Sequence, residues 1–149
     1  MSHERAKRLY PLVRIAEQSV QEALAYIGKI QQRMEDEKER RESLQLYQKE
    51  YQASFNHTGK QGISGAQIQQ FEVFMQQIDS ALLNQQKQIQ QIHAQLEQAR
   101  KVYIQLNTRL ESYKKLKNRL TEQAIASENQ QLQKLLDELG ALAHRRHSN

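Results

Sequence analysis

The sequence has no cysteine, no tryptophan and a single proline among its 149 residues. Without cysteine it can form no disulfide and offers no thiol nucleophile or thiolate ligand. Hydrophobic residues make up 38% of the chain and the mean hydropathy is -0.89, so apolar material for a globular core is scarce. We therefore expect a thin structure built from long helices.

Long apolar runs are also missing, and the amino end lacks the apolar core of a signal peptide. We expect no membrane insertion and a cytoplasmic location. The net charge is +5, but acidic residues are interleaved with basic ones and no basic stripe carries stacking aromatic residues, so we expect no nucleic-acid partner. The basic cluster at residues 144–147 is more typical of a solvated helix end.

Residues that could support catalysis or metal binding are scattered. Of the five histidines, only His144 and His147 have a helical ligand spacing, and no carboxylate accompanies them. The chain has no glycine motif for phosphate and no Ser, His and Asp arrangement that a thin fold could enclose. We predict no catalytic residue, no metal site, no cofactor and no enzymatic activity.

The chain does contain two apolar seams with the alternating four-three spacing of a heptad repeat. The first seam comprises Leu9, Val13, Ala16, Val20, Ala23, Ile27, Ile30, Met34, Glu37, Arg41, Leu44, Gln48, Tyr51 and Phe55, and its polar stretch lies at residues 33–42. The second seam comprises Ile68, Phe71, Met75, Ile78, Leu82, Gln85, Ile89, Ile92, Leu96, Ala99, Tyr103, Leu106, Leu110, Tyr113, Lys117 and Leu120. Further leucines follow in residues 132–142, after a phase slip at 124–131.

Between the seams lies a short break, residues 56–65, with three of the five glycines. Ser64 and Gln67 form a capping box pattern, and Ile63 and Ile68 form a hydrophobic staple. A break this short predicts that the seams pack on each other.

The predicted fold class is therefore all-α, an antiparallel two-helix coiled-coil hairpin. We expect a single elongated domain over residues 1–149, with helix 1 at about 4–56, a loop at 57–64, helix 2 at about 65–139 and a flexible tail at 140–149. Residues beyond about 120 have no partner within this hairpin.

Aromatic residues gather where the seams meet. The hairpin places Tyr51 near Phe71, and like flanks of the two helices come together, so Tyr47 and Phe74 share one side. These flanking rings either shield the seam or form an exposed apolar patch that binds another protein. We favour the patch.

Three segments at this bend, residues 44–51, 62–64 and 69–81, resemble the FliJ family of flagellar type III export proteins. The resemblance implies a fold similar to the stalk helices of a rotary ATPase gamma subunit. It also implies a stalk, peripheral at the cytoplasmic face of the inner membrane, that binds the flagellar export ATPase hexamer and promotes its assembly or activity. Its other implied partners are the cytoplasmic domain of the export gate protein and the export chaperones.

The resemblance further implies two sets of binding residues. The gate set, for the export gate protein, comprises Leu44, Tyr47, Tyr51, Phe74, Ile78 and Ala81. The ring set, for the ATPase ring, comprises Leu9, Val13, Val20, Leu132, Leu135, Leu139 and Leu142. The chain departs from the family pattern at Arg40 and Gln85, at the edges of the gate set. Two alternatives stay open: the equivalent stalk of an injectisome, and a generic structural coiled-coil dimer.

Overall fold

The computed structural model describes residues 2–148, with the side chains of residues 2–147. These residues form two helices, α1 at Ser2–Gly59 and α2 at Gly65–Ser148. The helices pack against each other as a helical hairpin, which confirms the predicted fold class. Neither helix contains a stretch long and apolar enough to cross a membrane, within the residues that the structure describes.

Both helices extend beyond their predicted bounds. α1 includes Pro11 in its interior and ends at Gly59, past residue 56. Proline removes a helical hydrogen bond, but Ala6 and Leu9 are buried before it, so packing holds the first turns in the helix. α2 continues through Gly140 to Ser148, where we expected a flexible tail. A single interior glycine costs a helix only about 1 kcal/mol relative to alanine, and no proline follows it.

The seams are the buried faces of both helices. Every residue of the first seam, on α1, is buried or half-buried, and so is every residue of the second seam, on α2, except Ile68. Ile68 is 41% exposed because it lies in the first turn of α2. Burial continues as far as Ala124, and every described side chain after it, at residues 125–147, is exposed. His3 also contacts Glu128, so the hairpin supplies partners beyond residue 120, where we expected none. We call residues 129–148 the overhang.

The chain divides into two compact units. One contains the residues up to Glu22 together with those from Tyr103 onward, and the other is Ala23–Val102. The first unit has a core of Val13, Ala16, Val20 and Leu110, against which Tyr103, Leu106 and Tyr113 pack. The second unit buries Ile27, Ile30, Met34, Ile78, Ile92, Leu96 and Ala99.

The turn between the helices is held by local hydrogen bonds. The Gly62 amide donates to the Gly59 carbonyl at 3.3 Å, and Gly62 has a φ of 98°, which glycine adopts without steric cost. The Ser64 amide donates to Gln67 Oε1 at 2.9 Å, and the Gln67 amide donates to Ser64 Oγ at 3.2 Å. These reciprocal bonds confirm the predicted capping box.

A polar layer interrupts the seams of the second unit. Gln85 Nε2 donates to the carbonyl oxygen of Glu37 at 3.2 Å and to its Oε2 at 3.5 Å. The Glu37 carboxylate also accepts a hydrogen bond from Arg40 at 2.8 Å. Gln85 Oε1 is buried and has no partner among the residues described. Such a layer favours one register at a cost in stability.

We predict that Ser64→Ala lowers the free energy of unfolding by about 1 kcal/mol, since it leaves an amide of the first turn of α2 without its acceptor. Urea unfolding followed by circular dichroism measures this change. Ser80→Ala is the matched control, because Ser80 is exposed within α2 and alanine favours a helix interior. An equal loss in both variants would contradict a role for the cap.

We predict that Gln85→Leu raises the free energy of unfolding by about 1–3 kcal/mol, because it removes a buried oxygen that lacks a partner. The same urea titration measures it, with Gln88→Leu on the exposed surface as the control for added hydrophobicity. A lower unfolding midpoint for Gln85→Leu than for the unchanged chain would show that the bonds to Glu37 outweigh the unpaired oxygen.

Candidate docking sites

Five aromatic rings form one chain of contacts across the helices near the turn. The Phe71 ring stacks on Phe55 with centroids 3.7 Å apart and on Tyr51 at 5.6 Å. The Phe74 ring contacts Tyr51 at 4.2 Å and meets Tyr47 edge-on at 5.7 Å. These contacts confirm that Tyr51 lies near Phe71 and that Tyr47 and Phe74 share a flank.

The structure divides this flank into shielding and exposed parts. Phe74 is half-buried because it lies over Tyr51, so it contributes to packing as well as to the surface. Tyr47 is 51% exposed and its chain neighbour Leu46 is 57% exposed, and Val73, the chain neighbour of Phe74, is 48% exposed. The apolar surface that the hairpin leaves uncovered is therefore centred on Tyr47 and Val73, with the edge of Phe74 between them.

Two shallow grooves border this surface. The groove on α1 is lined by Asp36, Glu39, Arg40, Ser43, Leu44 and Tyr47. The groove on α2 is lined by Ala66, Gln69, Gln70, Val73, Phe74 and Gln77. Tyr47 lines one groove and Phe74 lines the other, and these two rings are in contact. An apolar centre with polar margins is typical of a protein interface.

The structure places the gate set at three depths. Tyr47 and Ala81 are exposed, and Leu44, Tyr51 and Phe74 are half-buried. Ile78 is 4% exposed, so it belongs to the seam and offers almost no surface to a partner. The two departures from the family pattern also separate: Arg40 has a 70% exposed side chain, whereas Gln85 lies in the polar layer.

The ring set splits in the same way. Leu9, Val13 and Val20 are buried, at 9%, 6% and 6% exposure, because their seam positions face α2. The members in the overhang are exposed, and they are Leu132 at 56%, Leu135 at 52%, Leu139 at 55% and Leu142 at 50%. The last turn of α2 adds basic residues at 145–147.

Some exposed apolar residues of the first unit were not in either predicted set. Tyr10 and Ile15 are 56% and 62% exposed, and Leu136 in the overhang is 53% exposed. Lys117 Nζ lies 4.3 Å from the centroid of the Tyr10 ring. The sequence alone indicates that these residues are exposed, because large apolar side chains outside the heptad core positions cannot face the partner helix.

The arrangement of these exposed surfaces suits the binding of another protein. Within residues 2–148, no group of three or more His, Asp or Glu side chains is placed to hold a metal ion. The surfaces described above present apolar and amide groups on a scaffold of two helices, which can recognise the apolar face of another protein.

Comparison with family models finds one described as Flagellar FliJ protein, which matches residues 5–149. Comparison with curated proteins and with solved structures finds no match. The matched region is essentially the whole chain, and it extends the resemblance seen at the bend to both helices. Membership of this family implies that the chain is a component of the flagellar export apparatus, and the family is not known to contain enzymes. The chain belongs to the FliJ family of flagellar proteins.

Proposed function

We propose that this protein is a non-enzymatic stalk that binds the ring of the flagellar export ATPase and links it to the export gate. The observation that carries the proposal is the overhang of α2, whose leucine side chains have no covering element in the described chain. The family to which the chain belongs supplies the flagellar setting.

The overhang has the pattern of a helix that docks in an apolar site. Leu132, Leu135, Leu139 and Leu142 follow a three-four-three spacing, so they lie on one face of α2. Burying each of these leucines in a partner gains about 1.5–3 kcal/mol at most. A ring that encloses the overhang supplies such burial. Ring binding in this proposal rests on the overhang and excludes the buried Leu9, Val13 and Val20 as direct contacts.

The flank around Tyr47 is the proposed contact for the cytoplasmic domain of the gate protein. Tyr47 is a large, half-exposed ring held in place by Phe74, so little side-chain entropy is lost when a partner covers it. The adjoining groove carries Asp36 and Glu39 beside Arg40, and Arg40 is hydrogen-bonded to Glu37 at 2.8 Å, so the charge of this groove favours a basic margin on the partner. Export chaperones are the third class of partner, and the cytoplasmic face of the inner membrane is the proposed location.

We predict that Leu135→Ser with Leu139→Ser weakens binding to the export ATPase by about 100-fold, from the loss of roughly 3 kcal/mol of apolar burial. Copurification and the rate of ATP hydrolysis measure this. The urea midpoint should stay unchanged, because both leucines are more than half exposed. Leu83→Ser with Ile104→Ser is the matched control, at 59% and 60% exposure elsewhere on α2.

Two outcomes would contradict ring binding through the overhang. One is a Leu135→Ser and Leu139→Ser variant that copurifies with the ATPase as well as the unchanged chain does. The other is a dimer, detected by light scattering for the unchanged chain and absent in this variant, which would favour the generic coiled-coil dimer.

We predict that Tyr47→Ala weakens binding to the gate domain by about tenfold or more, as expected for an aromatic anchor, and reduces swimming. Its urea midpoint should change little, since the ring is 51% exposed. Phe74→Ala should lower both binding and stability, because Phe74 packs against Tyr51.

Tyr26→Ala is the control for Tyr47→Ala, because it removes a ring of similar exposure, 55%, from the same helix. If Tyr47→Ala melts the hairpin as far as Phe74→Ala does, the flank is a shield for the seam. If Tyr47→Ala keeps both its fold and its affinity for the gate domain, the proposed contact is wrong.

A further inference from the structure

The second unit contains an apolar groove that neither the gate set nor the ring set uses. It is lined by Ala23, Tyr26, Gln95, Gln98, Ala99 and Val102, and we call it the Tyr26 groove. All of these residues belong to Ala23–Val102. The groove runs between α1 and α2, so a partner seated in it would contact both helices.

The shape of the Tyr26 groove follows from which side chains form its sides and its floor. Tyr26 is 55% exposed and Val102 is 40% exposed, and these two larger side chains stand at the sides. Ala99 is 6% exposed and Ala23 is half-buried, so the floor consists of methyl groups. A trough with small residues at its floor lets another helix approach to the usual packing distance of about 8–10 Å.

The exposed residues of the groove are not needed to close the hairpin. Ile27, the seam residue next to Tyr26, is buried, with 9% exposure, and Ile30, about one turn further along α1, is buried, with 2% exposure. On α2, Leu96 and Ala99 are buried at 7% and 6%. Tyr26 and Val102 therefore lie beside a completed core, and their apolar surface remains available to a partner.

Basic charges predominate beside the groove. Lys29 and Arg33 follow Tyr26 by three and seven residues on the same face of α1. Glu22, four residues before Tyr26, lies at the opposite end and accepts a hydrogen bond from Gln18 at 3.3 Å. Arg33 Nη1 also donates to Gln95 Oε1 at 3.4 Å, which holds the guanidinium at the groove residue Gln95. None of the residues that line the groove is charged, so Lys29 and Arg33 set the charge at their end of it. An acidic ligand is the complementary one at that end.

We propose that the Tyr26 groove binds an acidic amphipathic α-helix of another protein. A large apolar side chain of that helix lies between Tyr26 and Val102, and its carboxylates face Lys29 and Arg33. The amides of Gln95 and Gln98 hydrogen-bond polar groups at the margin. This surface is separate from the flank around Tyr47, so a partner of this kind and the gate domain are tested by different variants.

A second copy of this chain is the less complementary occupant. The leucine face of its overhang is exposed, but the charged residues of the overhang are Lys134, Asp137, Glu138, Arg145 and Arg146, three basic and two acidic. The overhang therefore carries a net positive charge, as do the charged residues beside the groove. Like charges brought together oppose binding, whereas an acidic helix gains from the same groups.

The test uses the full chain and a labelled synthetic helix of about 20 residues, with leucine on one face and glutamate on the rest. Fluorescence anisotropy should detect binding that weakens by about tenfold or more in Tyr26→Ser with Val102→Ser. Lys29→Gln with Arg33→Gln should weaken it several-fold and reduce its dependence on salt. Tyr10→Ser is the matched control, because Tyr10 is 56% exposed on the same helix and lies outside the groove, and it should leave the affinity unchanged.

Four results would overturn the proposal. They are no binding by the unchanged chain, an equal loss in Tyr10→Ser, equal affinity for a helix with lysine in place of glutamate, and a dimer that Tyr26→Ser abolishes. The last would assign the groove to a second copy. Circular dichroism of each variant separates loss of binding from loss of helix, and Leu24→Ser, at 42% exposure on the same helix, controls for the loss of an exposed apolar residue.

Discussion

The structure depends on the mutual burial of two narrow apolar seams. Each helix has one apolar face and is polar elsewhere, so neither can bury that face without the other. Isolated helices gain little from propensity alone, and packing supplies most of their stability. Every other feature of the chain is a consequence of where this pairing begins, where it is interrupted and where it stops.

At the turn, pairing is reinforced by aromatic contacts. The Ser64 and Gln67 bonds define the start of α2, and the stacked rings of Phe55, Phe71 and Tyr51 close the seam immediately beside it. In the middle of the second unit the pairing is interrupted by the bond of Gln85 to Glu37. Burial between the helices ends at Ala124, and the contact of His3 with Glu128 lies one turn beyond it.

A hairpin of two helices buries only one face of each, so its flanks stay open to partners. Most flanking residues of this chain are polar, and the large apolar side chains among them are therefore informative. Tyr47 and Tyr26 are such residues, each half-exposed beside a closed seam. Because α1 and α2 hold them on a regular scaffold, the surfaces around them are formed before any partner arrives, which lowers the entropy cost of binding.

The sequence by itself determined the helices, the seams, the capping box and the approach of Tyr51 to Phe71, because all of these depend on local spacing and on a short turn. Only the tertiary structure decided exposure. It buried Ile78 and Val13, left Tyr47 open and placed Phe74 partly under its neighbours. Heptad spacing shows which residues face the other helix, but the depth of a side chain depends on the size and position of those across from it.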